Sequence, residues 1–131
     1  MKRLMVVDDE SEICDFLKLF FEDRGFEVFG ALSGQKALEI MDRVKPHVVL
    51  LDIHMPGMDG LCTLREIKKR QPDCKVIMVT ALETRDKIEE AMRLGADNYI
   101  TKPLSLEYLE RDVREKVAFL AKSGKMMNEA I

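Results

Sequence analysis

The fold follows from one short stretch near the middle of the chain, Val48-Val49-Leu50-Leu51-Asp52. Four apolar residues are too few for a core helix, and an unbroken apolar run is typical of a strand that is covered on both faces. A similar run at residues 4–7 ends at Asp8-Asp9-Glu10. Both runs therefore predict buried strands that end at acidic residues, and the run at 48–51 predicts the central strand.

Strands and helices alternate along the rest of the chain. Further strands are predicted at residues 27–31, 76–79 and 98–101, and Ser33 and Asp59 are placed to cap the helices that follow them. A fourth helix is predicted at residues 84–94. The other four helices are recognised by apolar residues at helical spacing: Ile13, Phe16, Leu17, Phe20 and Phe21 in the first, Ala37, Leu38, Met41 and Val44 in the second, Leu61, Leu64 and Ile67 in the third, and Leu106, Leu109, Val113, Val117 and Leu120 in the fifth. Five βα units with right-handed crossovers predict a doubly wound α/β domain, a parallel five-stranded sheet between two helix layers.

Composition limits the classes of protein to which the chain can belong. Its 131 residues suit one domain, and its 24 acidic against 21 basic residues, net charge −3, argue against direct nucleic-acid binding. Every apolar run is far shorter than the roughly 18 to 20 residues that span a bilayer, so we expect no membrane insertion. We assign residues 1–121 to the domain and 122–131 to a C-terminal tail or the stump of a linker.

The cysteines indicate the compartment. Cys14, Cys62 and Cys74 form no CxxC pair, which favours neither a disulfide framework nor a zinc site. We interpret them as small buried or half-buried hydrophobic residues in a reducing cytoplasm.

Candidate chemistry gathers where ligands bind in an open parallel sheet, beyond the carboxyl ends of the strands. Asp8 and Asp9 follow the first strand, Asp52 the third, Thr80 the fourth and Lys102 the fifth. If the first and third strands are neighbours, three carboxylates share one crevice and need a cation, for which Mg²⁺ and the Lys102 ammonium are suited. An aspartate is a competent nucleophile for phosphoryl transfer, and Asp52 is the best candidate because it stands alone after the central strand.

Each of these residues also has a purely structural interpretation when it is taken singly. Asp8, Asp9 and Asp59 suit N-caps, Asp52 and Lys102-Pro103 suit turns, Thr80 suits a strand end, and His54 suits a solvent-facing position. Only their joint placement at the ends of successive strands favours phosphoryl chemistry.

At this point the sequence resembles the receiver domain of bacterial two-component response regulators. The resemblance covers residues 2–120 and rests on VVDDE at 6–10, LLDIHMPGMDG at 50–60, VTA at 79–81 and GADNYITKP at 95–103. It implies a flavodoxin-like, CheY-like (βα)5 domain with strand order 2-1-3-4-5. It also implies a signalling domain rather than an enzyme, with self-catalysed phosphotransfer and autodephosphorylation only.

The resemblance assigns roles at the acidic crevice. It implies that Asp52 accepts a phosphoryl group from a histidine kinase or histidine phosphotransfer protein. The implied ligands of Mg²⁺, or of Mn²⁺ in its place, are Asp8, Asp9, Asp52 and the backbone carbonyl of His54. Lys102 would pair with a phosphoryl oxygen, and the Lys102–Pro103 peptide bond would be cis.

The resemblance also assigns a switch. Thr80 would move toward the phosphoryl group and Tyr99 would turn inward, which changes the face formed by the fourth helix, fifth strand and fifth helix. That face would bind an output domain, a partner protein or a second copy of the chain. Candidate surface charges on it are Lys87, Glu89, Glu90, Arg93, Asp97 and Arg111. His54 and Leu82 would flank the hydrolytic water, and because Leu82 cannot orient water, we expect a long-lived phosphorylated form.

Two other functions remain as alternatives. A phosphatase of the haloacid dehalogenase type also uses an aspartate nucleophile, but it requires a second aspartate two residues later, where this chain has His54. A flavodoxin-like cofactor carrier requires a Gly- or hydroxyl-rich loop after the first strand, where this chain has Asp8-Asp9-Glu10. Within the receiver interpretation, the chain is either free-standing or the receiver part of a longer regulator.

Overall fold

The computed structural model describes residues 1–81 and 85–130, apart from the side chains of residue 85 and of residues 123–130. The strands are β1 (Lys2–Val7), β2 (Phe26–Ala31), β3 (Val48–Asp52), β4 (Lys75–Thr80) and β5 (Asn98–Thr101). The helices are α1 (Ser11–Glu22), α2 (Gly34–Val44), α3 (Gly60–Arg70) and α4 (Arg85–Arg93), and a last helix α5 made of an α-helical turn (Leu106–Tyr108), a π-helical turn (Leu109–Val113) and an α-helix (Arg114–Ala130).

The five strands form one parallel sheet in the order β2-β1-β3-β4-β5, which confirms the predicted fold. All residues of β3 are buried, as expected for the central strand. Val7 at the end of β1 pairs with Leu51 near the end of β3. The carboxyl ends of these two strands are therefore neighbours, and the condition for a shared acidic crevice is met.

The two faces of the sheet form two separate cores because side chains alternate along each strand. Leu4 and Val6 of β1 pack on the side of α1 and α5, whereas Met5 and Val7 pack on the side of α2, α3 and α4. Most strands extend one or two residues beyond the apolar runs, as β1 does to Lys2, because backbone pairing does not require apolar side chains.

Both predicted N-caps are confirmed. Ser33 Oγ accepts a hydrogen bond from the backbone N–H of Lys36 at 3.0 Å, and Asp59 Oδ1 accepts one from Cys62 at 2.9 Å. The N-cap of α1 is Glu10, whose side chain makes no capping bond, so neither Asp8 nor Asp9 is used to cap that helix. Within the described ranges, no helix has both the length and the apolar character needed to cross a membrane.

Three predicted buried positions are wrong. Phe16 is exposed, because Cys14 takes the inward position in α1 together with Leu17. Cys62 is also exposed, in the first turn of α3, where Gly60 and the following residues 63 and 64 face inward.

The third error lies in α5. Leu106 is exposed in the short turn before the π-helical segment. The buried stripe instead runs through Leu109, Val113, Val117 and Ala121, at a regular spacing of four residues. Beyond residue 121 the backbone of α5 continues as helix to Ala130.

Candidate functional site

The structure brings three of the predicted site residues together at the ends of β1 and β3. Asp8, Asp9 and Asp52 each offer a carboxylate oxygen, and these oxygens lie within 4.8 Å of one another. Asp8 and Asp52 are only 3% and 5% exposed, whereas Asp9 is exposed. Asp9 is therefore the carboxylate of the cluster that solvent reaches most easily.

Backbone amides and one lysine hold the two buried carboxylates. Asp8 Oδ1 accepts a hydrogen bond from the N–H of Glu10 at 2.9 Å, and Asp52 Oδ1 accepts one from the N–H of His54 at 3.2 Å. The second oxygen of each aspartate, Oδ2, lies 3.3 Å from Lys102 Nζ. One ammonium thus bridges both buried carboxylates.

The local charge balance at this cluster is unfavourable. Burial raises the pKa of Asp52 above its usual range, the neighbouring Asp8 raises it further, and Lys102 opposes this rise. Burial would lower the pKa of Lys102, but the attraction of Asp52 and Asp8 outweighs it, so this pKa is raised. Three carboxylates against one ammonium leave an excess of negative charge on hard oxygen atoms, which fits a divalent cation such as Mg²⁺.

Sheet geometry places Lys102 at the cluster. Val6, Leu50 and Ile100 all face the side of α1 and α5. Two residues further along each of these strands come Asp8, Asp52 and Lys102, so alternation predicts the same side for all three. The backbone N–H of Lys102 donates to the carbonyl of Thr80 at 2.8 Å, and the Lys102–Pro103 peptide bond is cis.

Thr80 and Tyr99 lie together in a separate cleft on the side of α4. This cleft has a volume of about 580 Å³ and is lined by Thr80, Ala81, Asp86, Ile88, Glu89, Tyr99 and Thr101. Thr80 is buried and its hydroxyl donates to the carbonyl of Ala81 at 3.0 Å, while Tyr99 is 43% exposed. Asp52 pairs with Val79, so the cleft and the acidic cluster meet at the end of β4.

His54 and Leu82 are the two residues predicted to set the lifetime of the phosphorylated form. The side chain of His54 is exposed, and its backbone N–H is bonded to Asp52. Leu82 lies outside the described residues.

One residue that holds the site together was missed by the sequence reasoning. A Cβ on Gly60 would lie 2.2 Å from the carbonyl oxygen of Asp52 and 2.6 Å from Cα of Ile53. The N–H of Gly60 also donates to the carbonyl of Ile53 at 2.9 Å. Only glycine therefore allows α3 to begin this close to the end of β3, and the Asp59-Gly60 pair was the available signal.

One candidate surface charge is wrong. Asp97 points into the protein, where its Oδ2 accepts hydrogen bonds from Lys68 Nζ and from the N–H of Val76, both at 2.8 Å. Its partners belong to α3 and β4, so local sequence gave no signal for this arrangement.

Comparison with known proteins agrees with this geometry. Residues 4–114 match the family described as response regulator receiver domain. Similar solved structures include a response regulator receiver domain protein from Clostridium thermocellum (32% identity, TM-score 0.88, covering 97% of this chain and 99% of that one). Chemotaxis protein CheY4 from Vibrio cholerae is also similar (25% identity, TM-score 0.80, 88% of this chain and 98% of that one).

A longer protein shows the same likeness over part of its length. NtrX from Brucella abortus matches 98% of this chain at 32% identity and a TM-score of 0.86, but this chain spans only 29% of that protein. The match to a receiver family over most of the chain sets aside the phosphatase and cofactor-carrier alternatives. The chain belongs to the response regulator receiver domain family, whose members are phosphorylation-dependent signalling domains rather than conventional enzymes.

Proposed function

We propose that this receiver domain accepts a phosphoryl group on Asp52 from a histidine kinase or a histidine phosphotransfer protein. The observation that carries the proposal is the pair of buried carboxylates bridged by Lys102 Nζ at 3.3 Å from each. An oxygen of Asp52 forms the new bond to phosphorus while the bond from phosphorus to the imidazole nitrogen of the donor breaks. The nitrogen keeps the electron pair and takes up a proton, which leaves a neutral imidazole and an aspartyl phosphate.

We assign the metal site to Asp8, Asp9, Asp52 and the backbone carbonyl of His54, with Mg²⁺ as the ion and Mn²⁺ as an alternative. The support is the excess of carboxylate oxygens over the single ammonium of Lys102. When bound, the cation supplies positive charge that offsets the charge on the transferring phosphoryl oxygens. Lys102 supplies the second positive charge, fixed beforehand by its two carboxylate partners.

The proposed switch uses the cleft between β4, β5 and α4. Transfer adds negative charge beside the end of β4, which gives the Thr80 hydroxyl a stronger acceptor than the carbonyl of Ala81. The exposed ring of Tyr99 then turns into the cleft, and the face formed by α4, β5 and α5 changes. This face binds the output domain, a partner protein or a second copy of the chain.

The proposed domain arrangement keeps residues 1–121 as the receiver and 122–131 as a tail or linker. This chain matches 29% of the length of NtrX, which favours a receiver that serves a longer regulator. The observed continuation of α5 to Ala130 gives such a connection a helical form.

Phosphorylation is tested by the intact mass of the protein after incubation with Mg²⁺ and acetyl phosphate or phosphoramidate. We expect one added phosphoryl group in the wild type, none in Asp52→Asn, and none when EDTA replaces Mg²⁺. Asp42→Asn, a change to an exposed aspartate on α2, is the matched control and keeps the adduct. An adduct that persists in Asp52→Asn would overturn the assignment of the phosphoacceptor.

Residues two positions after Asp52 and Thr80 set the proposed lifetime. Leu82 offers no group that can orient water, so replacing it should speed hydrolysis of the aspartyl phosphate. We expect Leu82→Asn to shorten the half-life of the adduct by about tenfold, which is less than a general base contributes because an amide orients water without taking its proton. The decay of the mass adduct measures this, and an unchanged half-life in both Leu82→Asn and His54→Ala would remove the two residues from the mechanism.

A further inference from the structure

Strand β5 is the shortest strand of the sheet and leads directly to the acidic cluster. It has four residues, lies at the edge of the sheet and pairs only with β4. It carries Tyr99, and Lys102 follows it directly. A slip of one residue would exchange the two sides of the strand, which would move the Tyr99 ring inward and carry the Lys102 ammonium away from Asp52.

A half-buried ion pair ties the start of this strand to two other elements. Asp97 Oδ2 accepts from Lys68 Nζ and from the N–H of Val76, and Lys68 Nζ also donates to the carbonyl of Cys74, all at 2.8 Å. The N–H of Asp97 donates back to the carbonyl of Val76 at 2.8 Å. The two charged side chains are only 17% and 21% exposed, so solvent screens this pair less than it screens a surface pair.

The turn before β5 packs against the aliphatic stem of Lys68. Gly95 adopts φ +105, and a Cβ there would lie 3.5 Å from Cγ of Lys68, so the lysine stem runs directly beneath the turn before β5. The pair Lys36–Glu39 makes a useful contrast, because both of its side chains are 59% exposed and belong to one helix. An exposed pair of that kind contributes little to stability.

The ion pair closes a ring of contacts that begins and ends at Asp52. Helix α3 starts against the carbonyl of Asp52 through Gly60, and Lys68 near the end of the same helix holds Asp97. Strand β5 then leads from Asp97 to Lys102, whose ammonium returns to Asp52 at 3.3 Å.

We propose that Lys68 and Asp97 are positioning residues that fix the register of β5 and thereby hold the Lys102 ammonium against Asp8 and Asp52. The inference rests on the proposed function, since it assigns to a remote ion pair part of the control over phosphoryl transfer to Asp52. Neither residue touches the reacting atoms. Their effect passes through the backbone of β5 alone.

The test uses Lys68→Met, Asp97→Asn and the double variant in the full chain, with Lys36→Met as the matched control. Methionine keeps most of the lysine stem beneath Gly95, and asparagine keeps an acceptor for the N–H of Val76. Hydrogen exchange of the amides is compared between residues 98–102 and residues 4–7 of β1. The rate of phosphorylation by acetyl phosphate is measured over a range of Mg²⁺ concentrations.

We expect both single variants to lose about tenfold in protection at residues 98–102, with β1 unchanged, the loss expected for one charged hydrogen-bonded pair. The phosphorylation rate at saturating Mg²⁺ should fall by a similar factor. The Mg²⁺ concentration for half-maximal rate should not rise, because Asp8 and Asp9 stay in place and a more distant ammonium competes less with the cation. The double variant should be no worse than either single variant, and Lys36→Met should match the wild type.

Two results would overturn the inference. Equal loss of protection in β1 and β5 would mean that the pair only stabilises the whole domain. Unchanged exchange at residues 98–102 would mean that β5 keeps its register without the pair. Failure of the proposed function is recognised separately, because the wild type would then take up no phosphoryl group, and the exchange measurement alone would still decide whether the pair fixes β5.

Discussion

The two ends of the sheet carry opposite charges, and they differ in how those charges are buried and paired. At the carboxyl ends of the strands, Asp8 and Asp52 are almost fully buried beside each other with one ammonium between them. At the amino ends, a cleft of about 580 Å³ is lined by more cations than anions. The cations are Lys2, Lys45, Arg70 and Lys75, the anions are Asp42 and Asp73, and His47 lies among them. We refer to these as the acidic end and the basic end.

Side-chain donors at the basic end form hydrogen bonds with carbonyl groups of the helix α2 and of the residue that follows it. Arg3 Nε donates to the carbonyls of Val44 and Lys45 at 2.8 and 3.0 Å, where α2 ends. Arg70 and Gln71 at the end of α3 donate to carbonyls within α2. Positive charge near helix C-termini stabilises them, so this end of the sheet is built for stability.

Charge at the acidic end has the reverse effect. Two carboxylates are held together against their mutual repulsion, and the pKa of Asp52 is raised by burial and by Asp8. Such a site costs free energy of folding until a cation offsets its negative charge. Charges at the basic end therefore support folding, whereas those at the acidic end oppose it, and substitutions at the two ends test that difference.

The largest expected effect comes from Gly60→Ala at the acidic end. The added Cβ would overlap the backbone of Asp52 and Ile53, and neither backbone can give way without moving the acidic cluster. We expect a loss of about 3 kcal/mol in the free energy of unfolding, at the upper end for overpacking. Urea unfolding measures the loss.

Gly30→Ala is the matched control for that substitution. A Cβ on Gly30 would meet the side chain of Cys14 at ordinary contact distances, 3.6 Å to Cβ and 3.9 Å to Sγ, so the change should lie within about 1 kcal/mol of the wild type. Equal losses in the two variants would show that the close approach at Gly60 has no special weight.

A smaller effect, of opposite sign, is expected for Asp8→Asn. The asparagine removes the like charge beside Asp52 and keeps an oxygen that can accept from the N–H of Glu10. We expect the free energy of unfolding in EDTA at pH 7.5 to rise by about 1 kcal/mol, and the added stability that Mg²⁺ gives the wild type to disappear. Urea unfolding with EDTA and with Mg²⁺ measures both.

Asp42→Asn supplies the comparison at the basic end. Asp42 lines the cationic cleft, so its removal takes away an attractive charge and should lower stability slightly, by about 0.3 kcal/mol. If Asp8→Asn also lowered stability in EDTA, the acidic end would not be a site of repulsion.

Much of this arrangement could be predicted because it follows from local patterns. Apolar runs located the strands, and Asp8, Asp52 and Lys102 were found as the residues that follow them. Ser33 and Asp59 were found as caps because an N-cap acts within its own first turn. Parallel pairing then brings the strand ends together without further information.

What could not be predicted depends on contacts between distant segments. Asp97 looked like a surface charge because its partner, Lys68, lies 29 residues earlier on another element. Phe16 has correct helical spacing, yet the smaller Cys14 fills the core position, where its Sγ lies 3.4 Å from the carbonyl oxygen of Asp8. Distances of this kind are set by how helices seat on the sheet, which periodicity does not specify.

An effect as small as that of Asp42→Asn concerns the response of the two ends to pH. Burial, with the charges of Arg3, Lys2 and the amino terminus, lowers the pKa of His47 below its usual 6.5, and its Nδ1 accepts from the N–H of Arg3 at 3.0 Å. The folded protein thus favours the neutral ring, and the stability this contributes is present above pH 6.5 and is lost as the pH falls toward the lowered pKa. Asp52 has the opposite sign, since its pKa is raised above its usual 3.8: its contribution is full below that value and is lost as the pH rises through the raised pKa.

His47→Gln isolates the contribution of the basic end. Between pH 7.5 and pH 5.5 the wild type should lose about 0.3 kcal/mol more than the variant in urea unfolding, a small value because solvent screens the half-exposed ring. His54→Gln, which removes the other histidine of the chain, is the control and should follow the wild type. A wild type and His47→Gln with the same pH dependence would show that His47 bonds to β1 without favouring its neutral form, and the basic end would then stabilise the fold through its helix carbonyl contacts alone.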